Sequence, residues 1–292
     1  MPEVLCVGLT TLDVTYYGAD LPRLGVKVQA ESATLAVGGP AANAALAAAA
    51  LGADVTLCSA VNGRHAAPLA AEQLRDGRVE LLPAQADRSL PISSVFIDSR
   101  GERTVVSASD NGSVESSGSH RLPDKLEQFA SSAGVVLVDG HYPQIAAPAL
   151  AAARGAGVTT VIDLGSWKAA LPELLPLCDV AIASADFAVP HGDMGDYLLA
   201  AGVSFVATSH GQDPITWQRQ DGTKGSIDID PVDALDTNGA GDVLHGAFAA
   251  LVAQGVDEVS ALCRAAQIAT ETCTVRGARV PAHIAEKYVG DR

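Results

Sequence analysis

The sequence predicts an α/β fold, a central and mostly parallel sheet with helices on both faces, plus a small second β layer. Three observations lead there. From residue 126 onward, short continuous apolar runs alternate with helical stretches, the pattern of parallel strands buried on both faces. Two earlier segments, 12–35 and 94–106, alternate apolar and polar residues instead, as strands with one solvated face do. Near the C-terminus, Asp236-Thr237-Asn238-Gly239-Ala240-Gly241-Asp242 runs directly into an apolar helix. Right-handed crossovers put the carboxyl ends of the parallel strands on one sheet edge, where such folds bind ligands.

Residues 4–8 form a buried strand by length and composition, and 10–17 continue it with Asp13 as a polar residue. Residues 26–35 alternate imperfectly, as a half-exposed strand. Gly38-Gly39-Pro40 breaks that strand. Residues 41–51 then read as a helix, with Pro40 tolerated in its first turn and Gly52 placed to end it. A strand at 55–60 and a helix at 66–75 follow. Residues 92–98 and 103–107 flank Ser99-Arg100-Gly101-Glu102 as hairpin strands would. The polar stretch 107–120 reads as an ordered loop. Strands at 135–138, 158–162, 180–183 and 203–208 then alternate with helices at 145–154 and 197–201. A late hairpin uses 215–218, the Asp221-Gly222 turn and 227–229. Helices at 243–253 and 260–272 and a tail at 281–288 complete a single domain over 1–292. The second β layer, about 12–35 and 94–106, is contributed by non-adjacent segments of it.

Hydrophobic residues make up 48% and charged residues 18%, which places the chain among globular rather than disordered proteins. A formal charge of −15 argues against nucleic acid and against an anionic membrane as partners. Cys6, Cys58, Cys178, Cys263 and Cys273 are scattered and form no C-x-x-C pair, so neither zinc nor a disulfide framework is implied. The start lacks a basic n-region, and the reading is of a reduced, soluble, cytoplasmic protein.

Small residues at Gly239, Ala240 and Gly241 let backbone N–H groups converge where a helix opens, which makes an anion site. Asp242 lies in the first turn beside that site. A carboxylate repels phosphate, but it can take a proton from a hydroxyl that attacks one. Taken alone, the string also reads as a Gly-rich helix start with an Asp placed for the dipole.

The string resembles the C-terminal signature of the ribokinase, or phosphofructokinase B (pfkB), family of carbohydrate kinases. Gly38-Gly39-Pro40-Ala41-Ala42-Asn43-Ala44 resembles the N-terminal one. The resemblance implies a three-layer α/β/α domain with a β lid that pairs subunits into a homodimer. It also implies ATP with Mg2+ carried on the nucleotide, room for a monovalent cation, and a small-molecule sugar as substrate. Asp242 would be the catalytic base, and Gly239, Ala240 and Gly241 the anion hole. Asp13, Gly38, Gly39 and Asn43 would bind the sugar. Asp13 accepts and Asn43 both donates and accepts, which suits a polyol; taken singly, a solvated strand end and a helix cap are the other readings.

Two stretches depart from the family pattern. The usual Asn-x-x-Glu is replaced by Ser184-Ala185-Asp186-Phe187, which looks closer to the ketohexokinase and sulfofructose kinase branch and suggests a ketose-like substrate. Thr208-Ser209-His210-Gly211-Gln212-Asp213 alters the usual glycine loop. Thr237, Ser184, Asp186, Ser209 and Gly211 are carried as nucleotide-side residues. Arg103, in the lid hairpin, would face an anionic group on the sugar, and Arg276 the adenine side. His245 reads as a packed histidine. A nucleoside kinase of the same fold and a non-catalytic sugar-binding relative are the alternatives.

Overall fold

The apolar runs become strands of one large sheet in a computed structural model that describes residues 3–18, 21, 24–84, 89–98, 103–108 and 122–289. The first half contains β1 (Glu3–Val7), β2 (Thr11–Tyr17), β3 (Ser32–Gly38), α1 (Pro40–Ala50), β4 (Asp54–Ser59), α2 (Ala66–Asp76) and β5 (Val79–Pro83). Next come β6 (Ile92–Ile97), β7 (Arg103–Ser107), α3 (Leu126–Ser132), β8 (Val135–Val138), α4 (Pro143–Gly155) and β9 (Thr159–Leu164). After α5 (Leu171–Leu174) follow β10 (Val180–Ser184), α6 (Met194–Ala200), β11 (Phe205–His210), β12 (Asp213–Arg219) and β13 (Lys224–Ile227). The chain closes with α7 (Ala240–Ala253), α8 (Glu258–Thr272) and α9 (Ala282–Tyr288).

Nine strands run in the order β13-β12-β11-β10-β9-β8-β1-β4-β5. Those from β11 to β5 are parallel, and β12 and β13 add an antiparallel edge. Helices α1, α2, α7, α8 and α9 pack on one face and α3 to α6 on the other, which is the three-layer arrangement expected. Helix α7 is apolar nearly all round because it is covered nearly all round; residues 243–251 are buried. Its Gly246 lies against α1, where a Cβ would collide with the Ala44 carbonyl. That backbone-to-backbone approach sets α1 and α7 side by side at the sheet edge.

The second layer is a four-stranded sheet, β3-β2-β6-β7. Here the structure corrects the sequence reading in several places. Residues 10–17 do not continue β1; after Gly8 the chain leaves the large sheet and β2 pairs with β3 and β6. The strand expected at 26–35 lies at Ser32–Gly38, because 24–31 are nearly all exposed and make no ladder. β5 went unnoticed, being short and edged with polar residues. The tail at 281–288 is the helix α9, and the second strand of the late hairpin is Lys224–Ile227 rather than 227–229. The turn at 99–102 and nearly all of the 107–120 loop lie outside the described residues.

Candidate active site

β1 lies between β8 and β4, where the sheet's strand order changes direction, so its carboxyl end opens the crevice in which such folds take ligands. Asp139, just past β8, is buried there. Its Oδ2 accepts from the Leu9 N–H at 2.7 Å and the Ala41 N–H at 3.2 Å, and its Oδ1 from the His141 N–H at 2.9 Å. Burial works against its charge, but His141, Lys168 and the Leu9 N–H outweigh it and hold the carboxyl down to about 2. This fixed anion pins both the exit of β1 and the first turn of α1.

The glycine pair explains how β2 and α1 come so close. Gly39 has φ 93°, and a Cβ there would collide with the Leu9 carbonyl. A Cβ on Gly38 would run into the Asp13 carboxylate. Asp13 sits inside β2 rather than past β1, opposite Ser93 of β6, and its Oδ1 accepts from Thr11 Oγ1 at 2.6 Å. Burial pushes its carboxyl up, while hydroxyls of Thr11 and Ser93 and the charge of Arg279 pull it back. Arg279 was not anticipated. It is half-buried, donates to the Val37 carbonyl at 3.2 Å and places its charge beside Asp13.

Asn43, on the first turns of α1, donates from Nδ2 to Asp242 Oδ2 at 2.7 Å. Its Oδ1 is buried without a hydrogen-bond partner. A buried amide oxygen left open beside a carboxylate is a place for a hydroxyl donor. Burial first, and the charge of Asp163 second, push the Asp242 carboxyl up to about 7; the Asn43 bond and His245 act the other way. Asp242 is therefore a carboxylate whose proton affinity suits exchange near neutrality.

Gly239 caps α7 in a left-handed conformation, φ 75°, where a Cβ would collide with Ala278 Cβ. Next to it, Gly241 faces open space. First-turn N–H groups of a helix have no partner within it. Ala240's is turned to the Thr237 carbonyl at 3.3 Å. The loop is held by Asp236, which is buried and accepts from the Asn238 N–H (2.9 Å), the Gly277 N–H (2.8 Å) and Tyr17 Oη (3.2 Å). Tyr17 thereby ties the small sheet to the helix start, a link with no signal in the sequence beyond the motif's leading Asp.

Arg103 reaches the same loop, its Nη1 donating to the Thr237 carbonyl at 3.4 Å. Arg276 lies 4.7 Å over the Tyr17 ring. Ser184, the last residue of β10, is in register with Ser209 of β11, and the Ala185 N–H donates to the Ser209 carbonyl at 2.8 Å. Asp186 and Gly211 are exposed at that edge, and Gly211 takes φ 66°. The open space at Gly241 and the start of α7 fit a polyphosphate. Among the described residues no cluster of three His, Cys, Asp or Glu could hold a metal by itself. None of their helices is long and apolar enough to cross a membrane.

Comparison with known proteins decides the family, since the model of the pfkB family carbohydrate kinases matches residues 1–285. The chain belongs to the pfkB family of carbohydrate kinases. It is 29% identical over 259 residues to an ATP-dependent ribose-1-phosphate kinase of Halopiger xanaduensis, covering 86% of this chain and 84% of that protein. An Agrobacterium tumefaciens structure assigned to the ribokinases superposes with a TM-score of 0.84 at 25% identity, over 99% and 97% of the two chains. Arabidopsis thaliana ribokinase, solved with ribose and ATP, shares the fold at TM-score 0.76 and 20% identity, over 100% and 99%. This pfkB chain is an ATP-dependent carbohydrate kinase.

Proposed function

We propose that this kinase transfers the γ-phosphoryl group of ATP to a primary hydroxyl of a small sugar or sugar derivative held between the lid and the start of α7. The observation that carries the reading is the Asn43–Asp242 bond of 2.7 Å beside an unpartnered Asn43 Oδ1. A sugar hydroxyl donating to one of these oxygens lies within reach of the other. Asp242 takes the proton, the hydroxyl oxygen bonds to the γ-phosphorus, and the bond to the bridging oxygen breaks to release ADP. Backbone N–H groups of Gly239 and Gly241, joined by that of Ala240 once it leaves the Thr237 carbonyl, take up the charge that develops on the transferring group. Asp13 accepts from further hydroxyls, with Gly38 and Gly39 letting the sugar approach the backbone. Thr237, Ser184, Asp186, Ser209 and Gly211 form the nucleotide side, and Mg2+ arrives with the phosphates, supplying charge neutralisation there.

A finer reading of the substrate follows from the cations. Arg279 stands half-buried beside Asp13, and Arg103 bridges lid and anion hole. Guanidinium groups at both places suit a sugar that carries an anionic substituent. The relative described as a ribose-1-phosphate kinase supports that class. The ketose-like frame rests only on Ser184-Ala185-Asp186.

The outer face of the lid favours a homodimer. Leu35, Ile92 and Val106 are 47%, 48% and 63% exposed there, beside the stacked rings of Tyr16 and Phe96. The test is ADP formation from ATP over neutral ketoses and aldoses, sugar phosphates, sugar acids and nucleosides. Turnover highest with a sugar phosphate supports the full reading, and turnover highest with a neutral ketose removes the anionic substituent. Turnover only with nucleosides replaces the sugar.

A further inference from the structure

His245 lies one turn after Asp242 on α7 and is buried, and nothing in the reaction outlined above uses it. Its Nδ1 faces the Gly241 carbonyl at 2.6 Å. Its Nε2 faces the Ile182 carbonyl at 3.1 Å and lies 3.5 Å from Asp163 Oδ1. A carbonyl only accepts, so each ring nitrogen needs a proton to make its bond. Neutral imidazole carries one N–H and would point its other lone pair at an oxygen. Only the imidazolium satisfies both contacts.

We propose that His245 is a positioning residue, a buried imidazolium clamped between the Gly241 and Ile182 carbonyls and Asp163, whose fixed charge keeps Asp242 an ionised proton acceptor. The neighbourhood explains the need. Asp163, at the end of β9, and Asp139, past β8, are both close enough to Asp242 to raise its proton affinity. The basic groups that face these carboxylates are Lys168 and His141, which act on Asp139 and Asp163, and His245. Among them it is His245 that also opposes the protonation of Asp242. Burial works against a charge on His245 itself, but Asp163 and the two carbonyls outweigh it and push its proton affinity up. Its Nδ1 contact bears on the anion hole as well, since the carbonyl it holds belongs to Gly241.

This inference rests on Asp242 as the base, so its test has one arm that needs no turnover. In the wild-type protein at neutral pH, nitrogen-15 NMR of the His245 ring should give two protonated ring nitrogens. One protonated and one bare nitrogen would overturn the proposal whatever the enzyme does. The second arm is the pH profile of kcat/KM. His245→Gln keeps a donor and loses the charge, so its ascending limb should move to higher pH by about one unit or more. That is a loss of about 10-fold on the acid side, largely recovered on the alkaline side. Asp163→Asn should move the limb the other way, and the double variant should return it towards wild type. A loss by His245→Gln that is the same at every pH would mean a packing role alone and would overturn the proposal. If His245→Gln fails to fold, the NMR arm decides. An enzyme with no kinase activity at all, but with an imidazolium at 245, would contradict the base assignment instead.

Discussion

The body and the lid of this kinase are both β-sheets, yet they are built on opposite terms. In the body, β8 is buried at every residue and β10 at all but its last. In the lid, β7 is exposed at every residue and β3 over its first four. Continuous burial on both faces makes the body self-sufficient. A four-stranded layer with one face open is marginal alone and leans on whatever it touches. Here it touches the body through Tyr17 on Asp236, through Arg103 on Thr237, and through the Val37 N–H on Gln73 Oε1. Chemistry that must exclude water is thus assembled at the seam between a self-supporting part and a part that leans on it.

The contrast can be broken first from the body side. Replacing Asp242 by Asn removes the proposed proton acceptor and leaves the Asn43 contact sterically possible. Turnover should fall about 100-fold to 10,000-fold with nucleotide binding retained, as read by steady-state kinetics and calorimetry. Because burial and Asp163 set Asp242 at about 7, wild-type kcat/KM should climb with pH through that region as the carboxylate forms. A wild-type profile flat across neutrality would detach Asp242 from the rate.

From the lid side, Asp13→Ala should weaken sugar binding by about 5-fold to 150-fold while sparing the nucleotide, since it strands substrate hydroxyls without a partner. Titration of each ligand separately distinguishes this from a general loss. At the junction of α1 and α7, Gly246→Ala forces a methyl onto the Ala44 carbonyl and should destabilise the body by about 1–3 kcal/mol in chemical denaturation. It should also slow turnover by parting Asn43 from Asp242.

Acid separates Asp139 of the body from Asp13 of the lid by sign. Asp139 is held at about 2, below its ordinary 3.8, so it stabilises the folded state above its unfolded range. That contribution, about 2 kcal/mol, disappears as pH falls from about 4 through 2. Asp13 is displaced upward by burial, so its ionisation opposes folding as pH rises through its unfolded value. Asp139→Asn should therefore flatten the acid end of the stability curve, and Asp13→Asn should not. The smallest effect is expected on the outer lid face, where Val106→Asp should shift a dimer towards monomer in sedimentation with little change in turnover per site. A wild-type monomer at micromolar concentration would contradict the dimer.

The same contrast governs what the sequence could tell. Parallel strands such as 135–138 and 180–183 announced themselves because burial on both faces leaves an unbroken apolar run. Asp242, the glycine pair and Asn43 were singled out because their strings resemble the two pfkB signatures; spacing alone also allowed a plain helix start and a helix cap. β3 was misplaced because its exposed half carries little pattern, and β2 was joined to β1 because Gly8 alone does not reveal a change of sheet. Tyr17 acts through Asp236, Arg279 through Val37 and His245 through Ile182, at separations of 219, 242 and 63 positions, and such pairings are invisible in one chain's order.

The central claim is that phosphoryl transfer ends on a primary sugar hydroxyl placed at Asp242, and phosphorus NMR of the reaction tests it most directly. With a turned-over sugar, the account predicts a phosphomonoester signal split by the protons of one CH2 group, growing as ATP is converted to ADP. ATP converted only to ADP and inorganic phosphate, or a product split by a lone ring proton, would contradict it.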